Sequence, residues 1–530
     1  MVATYTIANM LEMSAGKYPH RTALVYPAKG QRWTYRDWDA QANRLAGALL
    51  KLGINKGDRV SVFLGNTGEL VSTLFAAAKI GAVFNPINCN LSATELTFIL
   101  NHAESRVLVF GADEQKRVDR ARAKIRTVEH YIYVDDAPPE FALPYYQLTG
   151  VACDDRPAIL VSENDWYSII YTSGTTGKPK GVIHRHRDIV DHSMCMIECQ
   201  KLTYRDRGLS IDPLYHAAEL HCFFLPRVHV GAANIILKNF DPQLVWQVLQ
   251  EEKITFMFAD PAKCRAILQH APADCRLPHL RVLANGGAPM PPALAARCRE
   301  VFRSDIIHLY GMTEMGPVIT VLYPEEQESK SGSVGKPLIN HEIRVVRISD
   351  AFPSDPQDAV ETGVRGEVVV RGVGMMQGYY NRPEMTAEAL YGGWYHTGDI
   401  GSLDEDGYLW LSGRRDDVIF SGVDNIYPQE IEEVLLEHPD VLEAAVVGVE
   451  IADWETEIVA FIVSQNPSLA PGDIKNYLQQ CDKLAGFKMP GEYVFIDKLP
   501  RVTTGKVQKR LLAKQFKRLC LANAQFQNAE

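Results

Sequence analysis

Long apolar runs are missing from this sequence. The most apolar stretch, Leu70 to Phe84, contains Lys79 and falls short of the ~20 residues a helix needs to cross a bilayer. No basic segment followed by an apolar one opens the chain, and Glu12 interrupts the nearest candidate, so no secretory signal is read. Cys-x-x-Cys pairs are also absent. Ten cysteines are spread over 530 residues, with only Cys195 and Cys199 one helical turn apart, which fits reduced thiols and small buried side chains better than a disulfide framework or structural zinc. These absences point to a cytoplasmic protein without an integral membrane segment and leave peripheral membrane contact open. There is no excess of positive charge either. A net charge of −10 removes the general electrostatic footprint of a nucleic-acid binder, local patches aside.

The chain is otherwise ordinary for a globular protein, 46% apolar and 23% charged. Its length exceeds what a single core supports, so two or more domains are expected. Helical and strand patterns alternate from the start. Thr34 with Asp37 forms a capping box ahead of Trp38, Ala42, Leu45 and Leu49, which recur at helical steps; Arg59 to Leu64 reads as a strand. Ser92 with Glu95 repeats the capping signature, and Arg106 to Phe110 reads as a short buried strand. This is βαβ syntax, which favours parallel sheets covered by helices. Residues 134–160 read as a connector. After about residue 335, segments 341–347, 366–371 and 408–412 read as short strands of a small β-subdomain. The last stretch reads as a separable α+β module, reached through Gly413-Arg414-Arg415-Asp416-Asp417, a charged segment suited to an exposed linker or hinge.

The densest chemistry lies in Tyr171-Thr172-Ser173-Gly174-Thr175-Thr176-Gly177-Lys178-Pro179-Lys180-Gly181, which follows an apolar strand-like run. Glycines let backbone N–H groups converge, hydroxyls can bond phosphate oxygens, and lysines offset polyphosphate charge. It is not a P-loop. Only two residues separate Gly174 from Gly177, and Pro179 stands where that motif needs a hydroxyl.

With Asn285-Gly286-Gly287-Ala288-Pro289, Tyr310-Gly311-Met312-Thr313-Glu314, Tyr395-His396-Thr397-Gly398-Asp399, Gly413 to Asp417, and Pro500-Arg501-Val502-Thr503-Thr504-Gly505-Lys506, the loop completes six motifs in the order found in the adenylate-forming superfamily. The chain resembles that superfamily, and its acyl-CoA synthetase branch, over nearly its whole length. The resemblance implies an α/β N-terminal AMP-binding domain of layered sheets with a small β-subdomain, residues 1–415, and a small mobile α+β domain carrying the catalytic lysine, residues 416–530. It implies ATP, Mg²⁺ and coenzyme A as cofactors.

Adenylation brings a carboxylate onto the α-phosphorus of ATP, so the site must neutralise and orient two anions. By resemblance Thr172 to Lys180 hold the β- and γ-phosphates, Thr313 contacts the α-phosphate, and Glu314 holds Mg²⁺ with Thr172 assisting. Gly287, Ala288 and Pro289 admit the adenine, Tyr310 stacks on it ahead of Gly311 and Met312, and Asp399 and Arg414 take the ribose. Lys506 contacts both the attacking carboxylate and the α-phosphate. Asp416 is the hinge about which the C-terminal domain turns for the second step, when Ser421 to Pro428, with Gly422 and Val423, line a pantetheine tunnel. Val423 stands where many CoA-forming relatives carry a second glycine. The five basic residues after Lys506, from Lys509 to Arg518, read as a solvated helix face.

Pro213-Leu214-Tyr215-His216 matches the segment that places a histidine near the substrate carboxylate. Its surroundings are mainly apolar, interrupted by Asp212, Glu219 and His221, and no basic residue stands out to hold a second substrate carboxylate. The expected activity is that of an AMP-forming acid–thiol ligase: a fatty or aryl acid and ATP give acyl-AMP and pyrophosphate, then CoA gives acyl-CoA and AMP. The alternative is a stand-alone enzyme loading a carrier-protein thiol, with Asp212 as a weak candidate for holding an amino-acid ammonium. The protein is expected to act as a monomer or homodimer in lipid metabolism.

Overall fold

The computed structural model describes residues 5–172, 179–272, 276–288, 290–349, 353–417, 419–421, 424–452, 455–481, 484, 488–501 and 507–527. The chain divides into two compact units, Met1–Ile343 with Val370–Tyr395, and Arg344–Val369 with His396–Glu530.

The first unit is built on two large sheets. One has eight strands, in the spatial order Gly378–Tyr379, Lys180–Arg185, Trp166–Thr172, Val83–Pro86, Arg59–Phe63, Ser105–Phe110, His130–Tyr133 and Ala142–Pro144. The other has nine, and its centre pairs Asp305–Gly311, Val282–Gly286, Phe256–Phe258, Arg207–Ser210 and Ala233–Ile236 in parallel. The α/β layering follows from the alternation in the sequence. Both capping boxes form: Thr34 opens the helix Tyr35–Lys51 and Ser92 opens Ala93–His102. The apolar stretch after Leu70 becomes the helix Gly68–Ile80, every residue of which is buried. Lys79 reaches 2.8 Å from both Glu12 and Asp39, so a charge in a core helix is matched by two carboxylates. Among the described residues no helix is long and apolar enough to cross a membrane.

One local reading changes and one element went unread. The connector over residues 134–160 contains the edge strand Ala142–Pro144 and the helix Tyr145–Gly150. The motif Tyr395 to Asp399 lies on a nine-residue strand, Tyr395–Leu403, whose glycines hid the period-two pattern.

Most of a four-stranded sheet, in the order His341–Val346, Gly366–Gly372, Tyr395–Leu403 and Leu409–Arg414, belongs to the second unit. That unit also carries a three-stranded sheet of Val441–Ala452, Glu455–Ser464 and Glu492–Phe495, with the helices Pro428–Leu436, Pro471–Gln480 and Lys509–Gln527. The α+β reading of the C-terminal stretch holds.

Several histidines of the first unit are buried or half-buried. Burial pushes His184, His186, His229 and His308 down to about 4 and His192 to about 3. Their folded pKa values lie below the unfolded ~6.5, so the stability they confer is present above that pH and is lost as pH falls toward 4. Unfolding at pH 5 should therefore take up about five protons through these rings. Urea unfolding followed as a function of pH measures this, and a flat dependence between pH 6.5 and 5 would contradict it.

Candidate active site

The phosphate-loop residues Ser173 to Lys178 lie outside the described residues, but both ends of the loop are in place. Thr172 ends one strand and Lys180 begins the next, and the two are direct antiparallel partners. The stem is buttressed: Tyr171 donates or accepts with His102 Nδ1 at 2.7 Å, and the Tyr380 amide donates to the Gly181 carbonyl at 2.7 Å.

The short strand Gly378–Tyr379 then links this stem to the acidic turn. It pairs with Lys180–Arg185, placing Tyr379 opposite Val182. Lys180 Nζ sits 4.6 Å from the centre of the Tyr379 ring, and the Tyr379 hydroxyl donates to Glu314 Oε1 at 2.8 Å. The Met376 amide donates to the Glu314 carbonyl at 2.8 Å. One segment thus ties Lys180 to Glu314 through a single aromatic ring. No motif in the sequence marks Tyr379, because a Gly-Tyr-Tyr run carries no chemical signature of its own. Tyr379→Phe keeps the ring against Lys180 and removes the hydrogen bond to a carboxylate; kcat/KM for MgATP should fall about ten-fold while the unfolding temperature stays put. An unchanged kcat/KM would remove Tyr379 from the site.

Thr313 and Glu314, both buried, occupy a tight turn after the strand Asp305–Gly311. The chain reverses there: the Met312 amide donates to the Pro317 carbonyl at 2.9 Å, and a Cβ on Gly311 would lie 1.9 Å from that carbonyl oxygen. Only glycine lets the two strands close at that point. The neighbouring strand Val282–Gly286 ends beside it, with Gly286 opposite Leu309. Gly287 then turns with φ +80° and has nothing within 4 Å of where a Cβ would lie, so a face of open space borders Tyr310's strand. Asn285 is held under this turn, its Oδ1 accepting from His308 Nδ1 at 2.8 Å and its Nδ2 donating to the Ala259 carbonyl at 3.2 Å. Ala288 is described and Pro289 is not. Gly287, Tyr310, Gly311, Met312, Thr313 and Glu314 therefore gather at the carboxyl ends of adjacent parallel strands, the edge where open α/β sheets bind ligands.

His216 follows Pro213 in a turn closed by its own amide, and its carbonyl starts the helical segment that continues to Val230. Burial lowers its pKa, and so does Lys263. Lys263 is a basic residue that sequence reasoning overlooked. It contacts Asp212 at 2.8 Å and also pairs with Asp260. Burial pushes Asp212 up to about 6 against the pull of that lysine. Lys263 holds Asp212 Oδ1, while the buried Asp212 Oδ2 has no hydrogen-bond partner among the described residues. Glu219 and His221 prove to be core groups: Glu219 forms a fully buried pair with Arg227 at 3.0 Å, and His221 packs against His184 and Tyr167. Leu220, Phe223 and Phe224 are likewise core residues.

In the second unit Asp399 and Arg414 are cross-strand partners, with Arg414 Nη1 2.6 Å from Asp399 Oδ1. Thr397 fixes that end of the strand, accepting from the Asp399 amide at 2.9 Å and donating to the Val368 carbonyl at 2.6 Å. The segment read as an exposed hinge is anchored on one side. Arg415 donates to Glu367 at 3.1 Å, to Ser354 Oγ at 3.0 Å and to the Ser349 carbonyl at 2.5 Å. Burial would raise Glu367, yet hydrogen bonds from His396 and Ser354 hold its carboxyl below the usual range. The side chain of Asp416, and Gly422, Val423 and Lys506, lie outside the described residues. Next to the last of these, Arg501 and Val507 form a bridge, and Arg501 pairs with Glu443 at 2.8 Å.

Comparison with known proteins accounts for both parts of the chain. Residues 11–380 match the family model of the AMP-binding enzymes and residues 430–506 that of the AMP-binding enzyme C-terminal domain. The chain is 34% identical over 511 residues to the long-chain-fatty-acid–CoA ligase FadD13 of Mycobacterium tuberculosis, covering 96% of this chain and 98% of that one. It is 34% identical over 500 residues to feruloyl-CoA synthase of an Amycolatopsis species, covering 94% and 96%. The structure of O-succinylbenzoate coenzyme A synthetase from Bacillus subtilis in complex with ATP and magnesium ion superposes with a TM-score of 0.83 at 30% identity, covering 95% of this chain and 99% of that one.

Proposed function

The chain belongs to the adenylate-forming AMP-binding enzymes, and on that premise we propose that it is an acid:CoA ligase with the division of labour that follows. Its acid is hydrophobic, fatty or aryl, the two classes its relatives are named for. Both relatives are CoA enzymes, which disfavours a carrier-protein thiol as acceptor. The observation that carries the reading is the linkage Lys180–Tyr379–Glu314 beside the turn Gly287–Ala288 and Tyr310.

In the first half-reaction a carboxylate oxygen of the acid attacks the α-phosphorus and pyrophosphate leaves. Thr172, Ser173, Gly174, Thr175, Thr176, Gly177, Lys178 and Lys180 hold the phosphates that depart. Tyr310, Gly287, Ala288 and Pro289 take the adenine, and Asp399 with Arg414 takes the ribose. Thr313 hydrogen-bonds the α-phosphate, Lys506 stabilises the charge gathering between it and the carboxylate, and His216 borders the carboxylate. Glu314 and Thr172 offer hard oxygen donors of the kind Mg²⁺ prefers, and Glu314 is held for the role by Tyr379. Mg²⁺ when bound supplies charge neutralisation for the phosphates. In the second half-reaction the CoA thiolate attacks the acyl carbon and AMP leaves, with Asp416 as the hinge and Gly422 and Val423 at the thiol arm.

Pyrophosphate release measured across acids of graded chain length and aromaticity, with and without CoA, tests this. Acid-dependent release that is completed to acyl-CoA is expected. Release without thioester product would move the enzyme to another acceptor.

A further inference from the structure

Apart from Lys506, the activity does not account for the C-terminal basic segment. From Lys498 to Ala529 the sequence has eight lysines and arginines and no acidic residue, in a chain of net charge −10. Its last helix, Lys509–Gln527, is anchored by one face. Leu512 and Phe516 are buried against the core of the second unit, and Lys509 pairs with Glu432 at 2.7 Å. At 100° per residue, Arg510, Lys514, Lys517 and Arg518 fall within an arc of about 100° opposite that buried seam. All four are exposed, and exposed Leu511 lies at the rim of the arc.

This face carries one sign of charge, with no acidic residue among the basic ones. Here Lys514 and Arg518 are like charges at i, i+4, an arrangement that weakens a helix. The repulsion is relieved by a surface of opposite charge. We propose that this face docks on an anionic lipid surface. Cations flanked by an exposed leucine suit headgroups over an apolar boundary, whereas among the described residues the exposed arc offers no aromatic ring on which bases could stack. Docking rests on charge and not on the reaction assigned above, so the two can fail separately.

The test is co-sedimentation of the full-length protein with sucrose-loaded vesicles of phosphatidylcholine alone, or with about 30% phosphatidylglycerol, at low and high salt. Binding to the anionic vesicles alone, released by salt, is expected. The double variant Lys514→Glu, Lys517→Glu should bind at least about twenty-fold more weakly, since each basic residue contributes roughly a factor of five and reversal adds repulsion. Its turnover of a water-soluble acid in free solution should be unchanged. Equal binding of both proteins, or no binding to anionic vesicles, would overturn the proposal. So would retention of a single-stranded RNA more tightly than the vesicles, which would assign the face to nucleic acid.

Discussion

Replacing Lys506 by alanine is expected to lower acid-dependent pyrophosphate release about a hundred- to a thousand-fold, the range found when a single aligned transition-state donor is lost. The physical demand is specific. A carboxylate and a phosphate repel as they approach, and the pentacoordinate phosphorus gathers further charge; a compact ammonium on a long stem can touch both. Supplied acyl-AMP should still be converted to thioester within a few-fold of the parent rate, because the first-step charge no longer needs support. Lys506→Arg should not rescue fully, since a planar guanidinium cannot act as a point charge between two oxygens. Rapid-quench assays of the two half-reactions separate these outcomes. Equal loss of both would mean that Lys506 serves the fold or the nucleotide as a whole.

The second large effect is expected at Glu314. Glu314→Gln keeps the size of the side chain and an oxygen to accept from Tyr379, but removes the charge. The variant should fold normally and lose about a hundred-fold or more in kcat/KM for MgATP, beyond the ten-fold loss expected for Tyr379→Phe. Raising Mg²⁺ should recover part of the loss, because the defect is in holding the ion. A loss no larger than that of Tyr379→Phe would contradict the role of the Glu314 charge in holding the ion.

How much of this was legible in the sequence depends on the reach of each interaction. Capping boxes at Thr34 and Ser92 act over three residues, and both form as read. The ordered motifs placed Asp399 and Arg414 in one site, and the hairpin register joins them. Tyr379 was not legible, because its link to Glu314 spans 65 residues and depends on a two-residue strand at the edge of a sheet. Lys263 was missed for the same reason: it meets Asp212 across 51 residues, and neither lies in a motif. Arg415 looked like a solvated linker charge because its partners, Glu367 and Ser354, come from another strand and a loop. Apolar neighbours of His216 read as pocket lining, yet Leu220 and Phe224 are core, and composition cannot separate those two uses of an apolar side chain.

In the proposed first step the acid's own carboxylate attacks the α-phosphorus. Supplying an acid labelled with oxygen-18 in both carboxylate positions, with ATP, Mg²⁺ and CoA, tests it in one mass spectrum. One labelled oxygen is expected in AMP and one retained in acyl-CoA, with none in pyrophosphate. Label in inorganic phosphate alongside ADP, or unlabelled AMP, would contradict it.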